Sequence, residues 1–272
     1  MHLVPLLFYA AAAAAYVAHF AWRDPRIGRL ATATLGAGVL AHTFLIGMQT
    51  MEAGHAPLVG TTAALSAFVW LLGLSYLYVE LTSEERAMGA LVAIMLVGLA
   101  IIPALDPVVN ERPPLLRSPL FTVHVLSMLL AYASFALACV IGITYVLLFN
   151  EIKAKHLGLF YARLPSLQVL DAMNGRAVLV GWIFLTLGVA VGGIWATQIR
   201  DIPDPRAQAM SLGDPKILMA LVLWGVYSFA LFARRAIGWS GRRAAWLSVV
   251  AFAIVLLNFL LVGYFLTRSH NF

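Results

Sequence analysis

The sequence predicts an all-α, polytopic membrane bundle of eight transmembrane helices. Three observations predict it. Of 272 residues, 62% are hydrophobic and only 11% charged, against about 45–50% apolar and about 25% charged in a soluble domain. The mean hydropathy is +0.90, more apolar surface than a soluble sphere has interior to hide. The apolar stretches are also continuous rather than alternating, which suits helices and not a barrel. A soluble enzyme, a disordered tail and a nucleic-acid module are thereby excluded. A disulfide scaffold is excluded too, because the single cysteine, Cys139, has no partner.

A membrane helix needs about 20 mostly apolar residues. Runs of that kind, bounded by charge or by Pro and Gly, lie at 3–22, 29–49, 58–79, 87–104, 118–149, 177–198, 217–233 and 244–266. The first lacks a positive leader and is followed by Trp22 and Arg23, so it reads as a retained span rather than a signal peptide. The second carries His42 inside LGAGVLAHTFLIG. The fifth exceeds the bilayer thickness and is expected to tilt or to project. Within the sixth, Gly188, Gly192 and Gly193 suit close helix packing. Cys139, deep in the fifth, reads as inert packing.

Orientation follows from the loops. Those after runs one, three, five and seven hold 12 of the 18 Lys and Arg, which places both termini on the outer side. The net charge of +6 then reflects topology and contact with anionic lipid. It is divided among loops, so nucleic acid is not an expected partner. One transmembrane domain covers 1–272. A cytoplasmic connection at 150–176 mixes basic with apolar and aromatic residues, as an interfacial amphipathic segment broken near Pro165 would. A Pro-rich outer loop occupies 199–216.

Ionisable groups inside apolar runs are functional hypotheses by default. Of seven histidines, His2, His19, His55 and His156 lie at surfaces or in connections. His124 opens the fifth run and His270 follows the eighth, at one membrane face. Two neutral imidazoles at one face suit axial ligation of a flat macrocycle, although a lone histidine near the end of a span is usually an ordinary membrane-interface residue. His42 suits interhelical hydrogen bonding as well as a site. No nucleophile–base set, zinc spacing or phosphate loop is present.

Four stretches taken together resemble a known family. They are FTVHVLSMLLAYASFALACVIGITYVLL, LPSLQVLDAMNGRAVLVGWIFLTLGVAVGG, GGIWATQ followed by GDPKILMALVLWGVYSF through SHNF, and LAHTFLIG. In order and topology they resemble the cytochrome c assembly membrane proteins, the CcsA-like and HemX-like haem handlers. The resemblance implies that His124 and His270 ligate haem, expected as haem b, at the outer face. Trp195, Asp214 and Lys216 would keep part of the tryptophan-rich and Asp-Pro-Lys motif. His42 would attend haem within the membrane. Partners implied are the lipid bilayer, haem, and an assembly partner or apocytochrome c, in a bacterial-type inner membrane. Two departures matter. The loop AQAMSLGDPKI lacks the tryptophans of the full synthase signature, and Phe232 stands where a second intramembrane histidine would fall. The expected role is therefore delivery or chaperoning rather than complete synthase catalysis. A HemX-like regulator acting through 150–176, and a transporter or scaffold without haem, are the alternatives.

Overall fold

The structure, a computed structural model, describes residues 2–105, 116, 118–155, 158–199 and 215–257. The described elements are all helices: α1 (Leu3–Trp22), α2 (Pro25–Ala53), α3 (Thr61–Ser83), α4 (Gly89–Leu105), α5 (Pro119–Lys153), α6 (Leu159–Arg163), α7 (Leu167–Ile199), α8 (Pro215–Ala236) and α9 (Arg242–Leu257). Six of them, α1, α2, α3, α5, α7 and α8, are long and apolar enough to cross a membrane, and α4 is a shorter apolar helix. The chain is a polytopic helical membrane protein. The end of the expected eighth run lies outside the described residues.

Local chemistry sets the helix starts. Asp24 caps α2 by accepting the Arg26 N–H at 2.7 Å, with Pro25 at the first helical position. Ser118 caps α5 in the same way, followed by Pro119. The break after α6 is Leu164, held extended at φ −87° and ψ 157° before Pro165, because proline disfavours helix in the residue ahead of it. Beyond it α7 starts at Leu167, ten residues before the apolar run. The helix thus absorbs the end of the 150–176 connection, and α6 supplies only five residues of it.

Two sub-bundles pack side by side. α1 to α4 form one, and α5, α7, α8 and α9 the other. α3 lies against α5 between them, where Ser75 and Ser134 are 3.4 Å apart. Each sub-bundle is tied at its arginine-rich end by one carboxylate. In the first, buried Glu80 accepts from Tyr16 at 2.6 Å and from Thr32, and Arg86 lies 3.7 Å away. In the second, Asp171 receives two nitrogens of Arg234, at 3.0 and 2.6 Å, and the Gly241 N–H at 2.9 Å. Each acid is thus charge-compensated and hydrogen-bonded, as a charge in a low-dielectric setting requires.

The tightest interface joins α5 to α7 in antiparallel register. Phe135 fits over Gly181, Met128 over Gly188 and His124 over Gly192, and Phe121 meets Trp195 edge-on with ring centroids 5.2 Å apart. These glycines admit side chains that a Cβ would exclude, whereas a Cβ on Gly193 would meet nothing within 4 Å. Gly181→Ala is therefore expected to destabilise the protein by about 1–3 kcal/mol through overpacking. Gly193→Ala is expected to be neutral or stabilising by up to about 1 kcal/mol. Unfolding of both variants in micelles checks the opposite signs.

Candidate functional site

The α5–α7 seam positions the site. His124 sits one turn inside α5 and leans onto α7, where its Nδ1 lies 2.8 Å from the Gly188 carbonyl oxygen. A carbonyl only accepts, so Nδ1 carries the proton and the neutral ring has its lone pair on Nε2. That is the tautomer an iron ligand needs, fixed by a backbone partner as ligating histidines usually are. Two glycines make this seat. The Gly188 carbonyl points along the helix toward residue 192, and the imidazole lies over Gly192. A Cβ there would come to 2.5 Å from Nδ1.

Trp195 stands one turn farther along α7. It is buried, 4% exposed, in a small cluster with Leu116, Phe121 and Ile199. Its indole N–H is buried and has no hydrogen-bond partner among the described residues. His124 and Trp195 are thus brought to one end of one seam, with Phe121 adjoining both. A fixed Nε2 lone pair, an orphaned donor and aromatic walls fit a flat apolar macrocycle bearing carboxylates. Among the described residues no three His, Cys, Asp or Glu cluster as for a metal ion. His270, Asp214 and the Lys216 side chain lie outside the described residues.

His42 is placed differently. It is buried, 3% exposed, in the middle of the first sub-bundle. Its Nδ1 lies 3.0 Å from the Tyr9 hydroxyl and its Nε2 2.9 Å from the Ser66 hydroxyl. One nitrogen donates and the other accepts, so neither is left for iron in this arrangement. His42 joins α1, α2 and α3 and is remote in the fold from the α5–α7 seam. Phe232, where a second intramembrane histidine would fall, is 58% exposed on α8, on the surface rather than in a slot. Cys139 is buried without a disulfide partner, as expected.

Sequence reasoning missed Glu80. It falls just past the third apolar run and reads as a loop acid before SEER. In the structure α3 continues to Ser83, which draws Glu80 inside at 1% exposure. The Tyr16 and Thr32 hydroxyls on α1 and α2 that accommodate it are not adjacent in sequence.

Comparison with known proteins places these features. The family model for the cytochrome C assembly protein matches residues 58–270. The chain is similar to the cytochrome c biogenesis protein CcsA of Guillardia theta, 25% identical over 250 residues that cover 85% of this chain and 81% of that one. It is similar to the CcsA of Trieres chinensis, 26% identical, covering 84% and 81%. It is likewise similar to the CcsA of Synechococcus elongatus, 24% identical, covering 91% and 87%. The matched span takes in the whole α5–α7 seam and its histidine seat, and the chain belongs to the cytochrome c assembly protein family.

Proposed function

We propose that this protein handles haem for cytochrome c assembly, holding it at the outer membrane face through His124 and His270 as axial ligands and passing it to an assembly partner or apocytochrome c. The observation that carries the reading is the His124 seat, where a backbone carbonyl fixes the proton on Nδ1 and turns the ring into a ligand with its lone pair on Nε2. When bound, haem would supply an iron for which His124 and His270 would be the protein ligands. The remaining work is done by the chain. Phe121 and Trp195 offer apolar and aromatic surface, and the Trp195 N–H offers a hydrogen bond to a carboxylate. Asp214 and Lys216 complete the outer platform in this reading, and haem b is the form expected. Cys139 is solitary, so the thiols of a client are kept reduced elsewhere, and the role is carrier rather than synthase.

The same reading sets the topology. All eight apolar runs cross a bacterial-type inner membrane, with α1 entering from the outer side and both termini returning there. The carboxylates Glu80 and Asp171, with the arginine-rich connections, then lie at the inner side, as the charge bias requires.

Three outcomes test it. The full chain, purified after haem-replete expression, should carry a low-spin bis-imidazole absorption spectrum. His124→Ala or His270→Ala should lower haem content at least tenfold, with added imidazole restoring the band. An unchanged spectrum in His124→Ala ends the assignment. Gly192→Val should reduce haem retention nearly as much as loss of His124, while Gly193→Val leaves it intact. A band that tolerates Gly192→Val would show that the seat is not needed. His42→Ala should cost about 1 kcal/mol of stability through two orphaned hydroxyls, with the haem band retained; a vanished band would assign His42 to the ligand set instead.

A further inference from the structure

A cavity opens at the opposite, arginine-rich end of the bundle. It has a volume of about 260 Å³ and lies between the two sub-bundles. His19, Phe20 and Arg23 at the end of α1 form one wall, Glu85 in the α3–α4 turn another, and Arg163 at the end of α6 with Leu164 just beyond it the third. The cavity is therefore walled by both halves of the molecule.

Its charge is not balanced. Two guanidiniums face one carboxylate, and neither Arg23 nor Arg163 makes an ion pair among the described residues. Glu85 is committed to its own turn, where Oε1 accepts the Ala87 N–H at 3.0 Å. Arg86, next to Glu85 in the chain, is committed to Thr32 and Glu80 behind Gly28. His19 donates from Nδ1 to the Asp24 carbonyl at 2.9 Å, and its ring packs on Gly28, which fixes the imidazole at the cavity wall. Arg23 caps α1 in the left-handed region at φ 57°, a position that glycine usually takes and that costs other residues energy. The chain thus spends a strained cap on a guanidinium at the cavity mouth.

We propose that this cavity binds a phosphate group, presented by the headgroup of an anionic phospholipid. Arginine forks match phosphate oxygens in pairs. Phe20 and Leu164 offer apolar surface to the glycerol end. The volume falls below the roughly 300–1,000 Å³ of small-molecule pockets, so it suits a headgroup and not a macrocycle. A ligand here touches α1, the α3–α4 turn and the α6–α7 link at once, and its binding stabilises the joined halves by mass action.

The test is thermal unfolding of the full-length protein in a neutral detergent. Phosphatidylglycerol added to the micelles should raise the midpoint, and phosphatidylcholine should not. In Arg23→Gln/Arg163→Gln, the phosphatidylglycerol concentration giving half the rise should increase at least fivefold. Arg163→Gln alone should show part of that change, and serves if the double variant does not fold. Arg242→Gln/Arg243→Gln, at the same end but away from the cavity, should respond as the wild type does. A rise given by inorganic phosphate alone, and lost in the same double variant, keeps the site and assigns it to the free anion. An equal response in the double variant and the wild type overturns the proposal, as does an equal loss in the Arg242/Arg243 pair. Haem content reports separately on the outer site, so the two readings fail independently.

Discussion

The close approach of α5 to α7 is the constraint on which the rest of the molecule depends. Lipid tails are as apolar as leucine, so no hydrophobic force drives membrane helices together, and packing and hydrogen bonds must do it. Here Gly181, Gly188 and Gly192 remove side chains along one stripe of α7, and Phe135, Met128 and His124 fill the stripe from α5. Asn174 adds a hydrogen bond from its amide to the Ala138 carbonyl at 2.8 Å and takes one from Ser248 at 3.1 Å, which docks α9 on the same pair. α8 is fastened by two indoles working in opposite directions, Trp182 onto Ser228 at 2.8 Å and Trp224 onto Thr186 at 2.9 Å. The histidine seat is the last rung of this ladder. Its geometry is set by the whole seam rather than by the residues beside it.

The two ends of the bundle are built from different chemistry. Among the described residues of the α5–α7 seam, the end carrying His124 and Trp195 is aromatic, with a donor left over. The other is ionic, and each sub-bundle there has its own acid and arginine. Buried charge is costly unless paired and hydrogen-bonded, and Glu80 and Asp171 meet that condition with partners drawn from three helices or their connections. Separate acids for separate halves leave the boundary between the halves without a charge lock. The arginine-lined cavity lies in that boundary.

Much of this was legible in the sequence. Continuous apolar runs gave the helices, and two of the three glycines of LTLGVAVGGIW, Gly188 and Gly192, pack closely as expected, whereas Gly193 faces open space. Their second use, seating an imidazole, was not visible. It depends on the register between α5 and α7, and register is a property of the pair rather than of either helix. The start of α7 was placed ten residues late because Asp171, Asn174 and Arg176 interrupt the apolar run, although Asp171 and Asn174 find partners inside the fold, while one Arg176 guanidinium nitrogen is buried without a partner among the described residues. Glu80 was missed for the converse reason. An acid at the end of an apolar run looks solvated when its hydroxyl partners, Tyr16 and Thr32, lie 64 and 48 positions away.

Four described histidines with hydrogen-bond partners show why residue type alone leaves function open. His42 meets two hydroxyls, and His124, His19 and His55 a carbonyl each. A hydroxyl both donates and accepts, so a histidine between two of them can engage both nitrogens and ends as a joint between helices. A carbonyl only accepts, so it takes the proton of one nitrogen and defines the other as the one with a lone pair. Partner type therefore sorts the imidazoles before any ligand is considered. By that criterion the intramembrane histidine, the most unusual in sequence, is the least prepared to bind a metal. His124, which taken by itself reads as an ordinary interface residue, has its Nδ1 proton held by a carbonyl of the glycine-lined α7.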